Sequence, residues 1–132
     1  MPVSYFANGD IYPCRFVKLD PADGRVLQCL AGDLPIGVSQ EGTRRSPYMD
    51  TAPLGRAAAA GEPVLVYTLG ERALLQVNGT VTPELRLKAD ANGMGIAVAS
   101  PSVDAYGGIA LFNGAAGKLI EVLVDPGNMP GT

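Results

Sequence analysis

A chain of 132 residues with a formal charge of −3, two cysteines and no histidine is one domain's worth of polypeptide, long enough to bury a core without metal or disulfide staples. The lack of histidine removes the Ser-His-Asp and Cys-His constellations and the commonest general base near neutral pH. The acidic balance, with Arg44-Arg45 as the only adjacent basic pair, argues against a surface that follows nucleic-acid phosphates.

Residues 1–9 carry Tyr5 and Phe6 without a clear period and are read as an N-terminal arm or an edge strand. Their start, MPVSYFANGD, lacks the basic and apolar regions of a signal peptide, so synthesis in the cytoplasm is expected. Phe16, Val17 and Leu19 then form an apolar run, Pro21-Ala22-Asp23-Gly24 turns the chain, and Val26, Leu27 and Leu30 form the next run. Proline sets φ and glycine accepts a positive φ, so this is predicted to be a hairpin. In its natural register Asp20 faces Arg25 and Cys29 faces Phe16. Cys14 and Cys29 then share a face as diagonal neighbours about 7–8 Å apart. A disulfide would need a shift of register, and both are expected to be reduced, small and apolar in role.

Residues 34–38 read as a short strand that Pro35 confines to an edge, a start or a bulge. The stretch 39–61 is the least patterned and is long for a loop in a compact domain, with at most one helical turn at 56–60. Strands are predicted at 63–69 and 72–77. Asn78-Gly79 is the strongest hairpin signal in the chain, with Val81 starting the return strand. Leu85 and Leu87 alternate with Arg86 and Lys88, Asp90-Ala91-Asn92-Gly93 turns the chain into 96–99, and 109–112 is another apolar run. The last strand is 119–124, closed by Asp125-Pro126-Gly127. The pattern is therefore all-β: a small barrel or sandwich of about eight to ten short strands with at most a short helix. Its expected organisation is an arm or edge strand at 1–9, a β domain at 10–125 and a C-terminal tail at 126–132. No internal repeat at a fixed period is evident, and no stretch approaches the roughly 18 apolar residues of a membrane span.

The chemistry is sparse. Asp20 with Asp23, Glu62 with Glu71, and Asp90 with Asp104 are the carboxylate pairs that acid/base work on a glycoside would need. All but Asp104 sit in or beside turns, where such residues are ordinarily solvated or capping. Asp90-Ala91-Asn92-Gly93 begins like a calcium loop, but the residues after it supply no further acidic ligands. Gly93-Met94-Gly95 lacks the third glycine and the βαβ setting of a dinucleotide site. No catalytic residue, cofactor or metal is expected. The hydrophobic fraction of 47% against 17% charged residues instead suggests that apolar surface is buried against neighbouring subunits. Within the long loop, Arg44 and Arg45 suit carboxylates on a neighbour, and Tyr48, Met49 and Leu54 favour contact over solvation.

Several phrases, taken in order, carry a resemblance: Arg15-Phe16-Val17 before a turn, Pro35-Ile36-Gly37-Val38-Ser39-Gln40, Gly61-Glu62-Pro63-Val64, Val81-Thr82 followed by Leu87 and Ala89-Asp90-Ala91-Asn92-Gly93, and Gly117-Lys118-Leu119-Ile120-Glu121-Val122-Leu123-Val124. The series resembles the decoration, or cement, proteins that tailed bacteriophages add to the outside of their capsids. Pro83-Glu84 departs from it, standing where a glycine turn is expected. The resemblance implies a compact, β-tulip-like domain, often a homotrimer, that sits on the outer capsid surface and clamps major capsid protein subunits. It also implies contact residues in the arm, Pro2, Val3, Tyr5 and Phe6, where a strand could be added to an exposed edge of the shell. The other class of function consistent with the pattern is a virion-displayed module that binds carbohydrate or a host surface.

Overall fold

The computed structural model describes residues 3–31, 33–42, 61–98 and 105–128. These form ten strands and, among the described residues, no helix. The first five are β1 (Val3–Phe6), β2 (Phe16–Leu19), β3 (Val26–Gln28), β4 (Gly37–Gly42) and β5 (Pro63–Tyr67). The second five are β6 (Arg72–Gln76), β7 (Arg86–Ala89), β8 (Gly95–Ala97), β9 (Ala105–Ala110) and β10 (Leu119–Asn128). In β5, β6 and β7 buried residues alternate with more exposed ones, the period of two expected of strands with one face on a core.

Two antiparallel five-stranded sheets result, in the orders β1-β5-β4-β2-β3 and β6-β10-β9-β7-β8. The second order is the first with every strand moved on by five. Registers agree as well. Phe6 opposite Pro63 matches Gln76 opposite Leu119, and Val17 opposite Gly37 matches Leu87 opposite Gly108. Val38 opposite Tyr67 likewise matches Ile109 opposite Leu123. A parallel bridge joins Ala7 to Val26 in one half and Val77 to Gly95 in the other, bringing the outer strands together at one point only. The sheets are thus sandwich-like and not closed barrels. Even the unusual backbone repeats: among the described residues the non-glycine residues with positive φ are Cys14 (60°) and Glu84 (75°).

The chain is therefore an internal tandem repeat, one that no fixed period in the sequence revealed. Asn8, Gly9, Pro13, Lys18 and Asp20 recur seventy residues later as Asn78, Gly79, Pro83, Lys88 and Asp90. No fixed period survives, because the connections differ in length. Gly24 corresponds to Gly93 and Gly61 to Gly117, each pair with positive φ, and the stretch between β4 and β5 is much longer than that between β9 and β10.

Ala7, Ile11, Val17, Val26, Val64 and Val66 form the core of the first repeat. Their counterparts Val77, Val81, Leu87, Ile120 and Val122 build the second, which Phe16, Cys29 and Val38 of the first repeat also enter. Each fully buried Val or Leu contributes about 1.5–3 kcal/mol, so both halves hold together by the same apolar positions.

The hairpin around Asp23-Gly24 has the expected register: the Asp20 amide donates to the Arg25 carbonyl and the Cys29 amide to that of Phe16. Asn78-Gly79, however, is no hairpin turn. β6 pairs with β10, and Val81 makes an isolated bridge to Gly114. The Asn78 side chain is held by Asp90 at 2.8 Å, as Asn8 is by Asp20 at 2.7 Å, so in both repeats Asn-Gly leads the chain across the sheet. β4 begins only at Gly37, with buried Pro35 before it, consistent with a residue that has no N–H for a ladder. β10 runs on to Asn128 through a register shift between Val124 and Gly127 that takes up Asp125-Pro126. β1 lies at a sheet edge, paired on one side with β5.

Candidate interaction surface

Of the contact residues expected from sequence, Pro2, Arg44, Arg45, Tyr48, Met49 and Leu54 lie outside the described residues. Val3, Tyr5 and Phe6 are in β1. Tyr5 packs on the first core, whereas Phe6 is 58% exposed.

The turn carboxylates are occupied in shaping turns. Asp20 accepts from the Ala22 amide at 3.0 Å and from Asn8. These bonds, the backbone one foremost, hold its carboxyl below the usual carboxylate range because they favour the charged form. Asp90 accepts from the amides of Asn92 and Met94 at 2.8 and 2.9 Å. Glu71 accepts from the Thr68 amide, and Asp104 lies outside the described residues. Among the described residues no three His, Cys, Asp or Glu side chains gather into a group able to hold a metal.

What the fold does assemble is a junction between the repeats. From β2 of the first sheet the Phe16 side chain packs against Gly107 of the second. A Cβ on Gly107 would come within 2.4 Å of the Phe16 ring, so glycine is what allows the ring to enter. Around it the Phe16 amide donates to the Gly93 carbonyl at 2.8 Å and the Gln76 amide to the Cys14 carbonyl at 2.9 Å. Arg15 reaches the Asn92 carbonyl at 2.8 Å and Gln76 Oε1 at 3.3 Å, and Gln28 also donates to Asn92. Gln40 donates to the Leu74 carbonyl at 2.9 Å.

Two faces thus meet: β2, β3 and β4 of the first repeat, and β6 with the Asn92-Gly93 turn of the second. Burial at this junction pushes the Cys14 thiol up to about 11, against the nearby Arg15 charge, and the Cys29 thiol up to about 12. Both cysteines are free, and neither is a ready nucleophile at neutral pH. Residue patterns did not reveal this junction, since Phe16 reads there as ordinary core and Gly107 as an unremarkable glycine. The signal that could have found it is the paired Asn-Gly, Pro and Lys-x-Asp phrases of the two halves.

The fold has a solved counterpart. It is similar to the crystal structure of the N base of head fiber gp8.5 of bacteriophage phi29, with a TM-score of 0.62 and 12% sequence identity over 98% of this chain and 98% of that one. At that identity the likeness is one of fold. No family model matches the sequence, and no curated protein does.

Proposed function

We propose that this protein is a structural virion component that binds the outer surface of an icosahedral phage capsid and stabilises it by bridging major capsid protein subunits. The observation that carries the reading is the whole-length fold likeness to a phage head fiber base. The order of sequence phrases that resembles capsid cement proteins supports it independently. The reading has no catalytic step. It needs only a rigid scaffold with apolar contact surface, and Phe6, Leu30, Leu69 and Phe112 are each more than half exposed. A homotrimer would touch several shell subunits at once, so that modest contacts multiply through effective concentration.

The test is to mix the purified protein with shells lacking it, pellet them, and image them by electron cryomicroscopy. Density at threefold or quasi-threefold positions, with shells that survive greater heat, is the expected result. Protein left in the supernatant at concentrations well above those of the shell sites would overturn the reading.

A further inference from the structure

The junction between the repeats is head to tail, so each of its two faces occurs once more in the chain, without an equivalent partner among the described residues. The face that the first repeat uses has counterparts in the second by strand register: Pro83 for Pro13, Leu85 for Arg15, Arg86 for Phe16, Val98 for Cys29, and Ile109 for Val38. In the first repeat Pro13, Phe16, Cys29 and Val38 are buried. In the second Pro83 and Leu85 are exposed, and Arg86, Val98 and Ile109 only half-buried.

The converse holds for the other face. Gly93 is buried, and a Cβ there would meet Gln28 and the carbonyls of Phe16 and Cys29, whereas its counterpart Gly24, with the same positive φ, has nothing within 4 Å. Gln76, half-buried at the junction, corresponds to the exposed Phe6.

One unmatched pair is complementary in chemistry. Arg15 and Gln76, a polar pair inside the chain, correspond to Leu85 and Phe6, two exposed apolar side chains. Burying them against each other removes apolar surface from water, whereas leaving both exposed in a monomer stabilises nothing. The half-buried Ile109 and Val98 extend the same apolar face.

We infer that a second copy of this chain docks head to tail, the β1 edge and Asp23-Gly24 turn of one copy seating on the β7-β8-β9 face of the next, with Phe6 against Leu85. This contact would use between chains the same strand faces that meet between repeats, with Arg86 and Ile36 in the places of Phe16 and Gly107. Such a heterologous interface closes into a ring or runs on as a filament. Closure at three chains, a ring of six repeats, would be the trimer of the proposed function and rests on that reading; the docking faces do not.

The test is the mass of the full chain in solution, by light scattering on a sizing column, for the wild type and for Phe6→Asp and Leu85→Asp. Both side chains are exposed, so each variant is expected to keep the wild-type circular dichroism spectrum. The wild type is expected to be oligomeric and each variant alone monomeric. An equimolar mixture of the two is expected to form a dimer and nothing larger, because one intact β1 edge meets one intact β7 face. The double variant Phe6→Asp/Leu85→Asp should stay monomeric even in such mixtures. A monomeric wild type at micromolar concentration, or variants that stay oligomeric, would overturn the proposal. So would a mixture that never associates, since only a head-to-tail contact is rescued this way. None of these readouts involves a shell, so failure of capsid binding and failure of this contact are told apart.

Discussion

Phe16 belongs by sequence to the first repeat but is fully buried in the core of the second, which makes it a sensitive probe of how the halves are coupled. Truncation to alanine removes a whole buried ring and leaves a cavity against Gly107 and Pro35, for an expected loss of about 3–5 kcal/mol. Gly107→Ala presses from the other side. Its Cβ would lie 2.4 and 2.8 Å from two ring carbons of Phe16 and 2.8 Å from Pro35 Cγ, and overpacking of this kind costs about 1–3 kcal/mol. Gly107 does not have a positive φ, so the cost would be one of space. If the two residues act through that contact, Phe16→Leu combined with Gly107→Ala should be less destabilised than the sum of the single changes by about 1 kcal/mol or more, because the new methyl occupies room that the ring has vacated. Urea unfolding of the wild type, the two single variants and the pair, at equal m-values, measures this directly. A silent Gly107→Ala, or strict additivity, would refute the view that this ring and this glycine join the repeats.

The buried thiols predict a loss of stability at high pH. Their folded-state values are raised, so their contribution is complete below the unfolded thiol value of about 8.5 and declines as pH rises toward 11–12, at up to about 1.4 kcal/mol per pH unit for each thiol. Denaturation midpoints at pH 8 and pH 10 should fall further in the wild type than in Cys14→Ser/Cys29→Ala, and an equal fall in both would count against buried thiols. Glu84→Gly relieves a left-handed backbone at an exposed position. That conformation costs a non-glycine residue about 1–2 kcal/mol, against roughly 0.5–1 for the added freedom of glycine unfolded, so thermal melts should show no loss and a gain of up to about 1.5 kcal/mol. Asn78→Ala removes the side-chain clasp on Asp90 and is expected to cost about 1 kcal/mol by urea titration; an unchanged midpoint would mean that the Asn-Gly crossing is held by the backbone alone.

The all-β class, the strand count and the hairpin register around Asp23-Gly24 were legible in the residues, because period-two burial and turn chemistry are local properties. So was the placement of Cys29 opposite Phe16, which follows from the turn. Asn78-Gly79 was misleading for the same reason. A strong local turn signal was overridden by the long-range pairing of β6 with β10, and Asn78 served Asp90 instead. β10 likewise ran past Asp125-Pro126, because a shift of register let the ladder resume beyond a residue without an N–H.

The repeat stood on the page as Asn-Gly, Pro and Lys-x-Asp phrases, yet it was hidden by connections of unequal length and by side chains that had diverged where the two halves do different jobs. By itself the sequence determined which residues turn and which face a core, because those choices depend on neighbours along the chain. Tertiary structure alone decided which repeat each side chain serves. It sent Phe16 into the second core, left its counterpart Arg86 half-buried, and exposed Phe6 and Leu85 together. Those outcomes depend on contacts between residues far apart in the chain, such as Phe16 and Gly107, which no local pattern encodes.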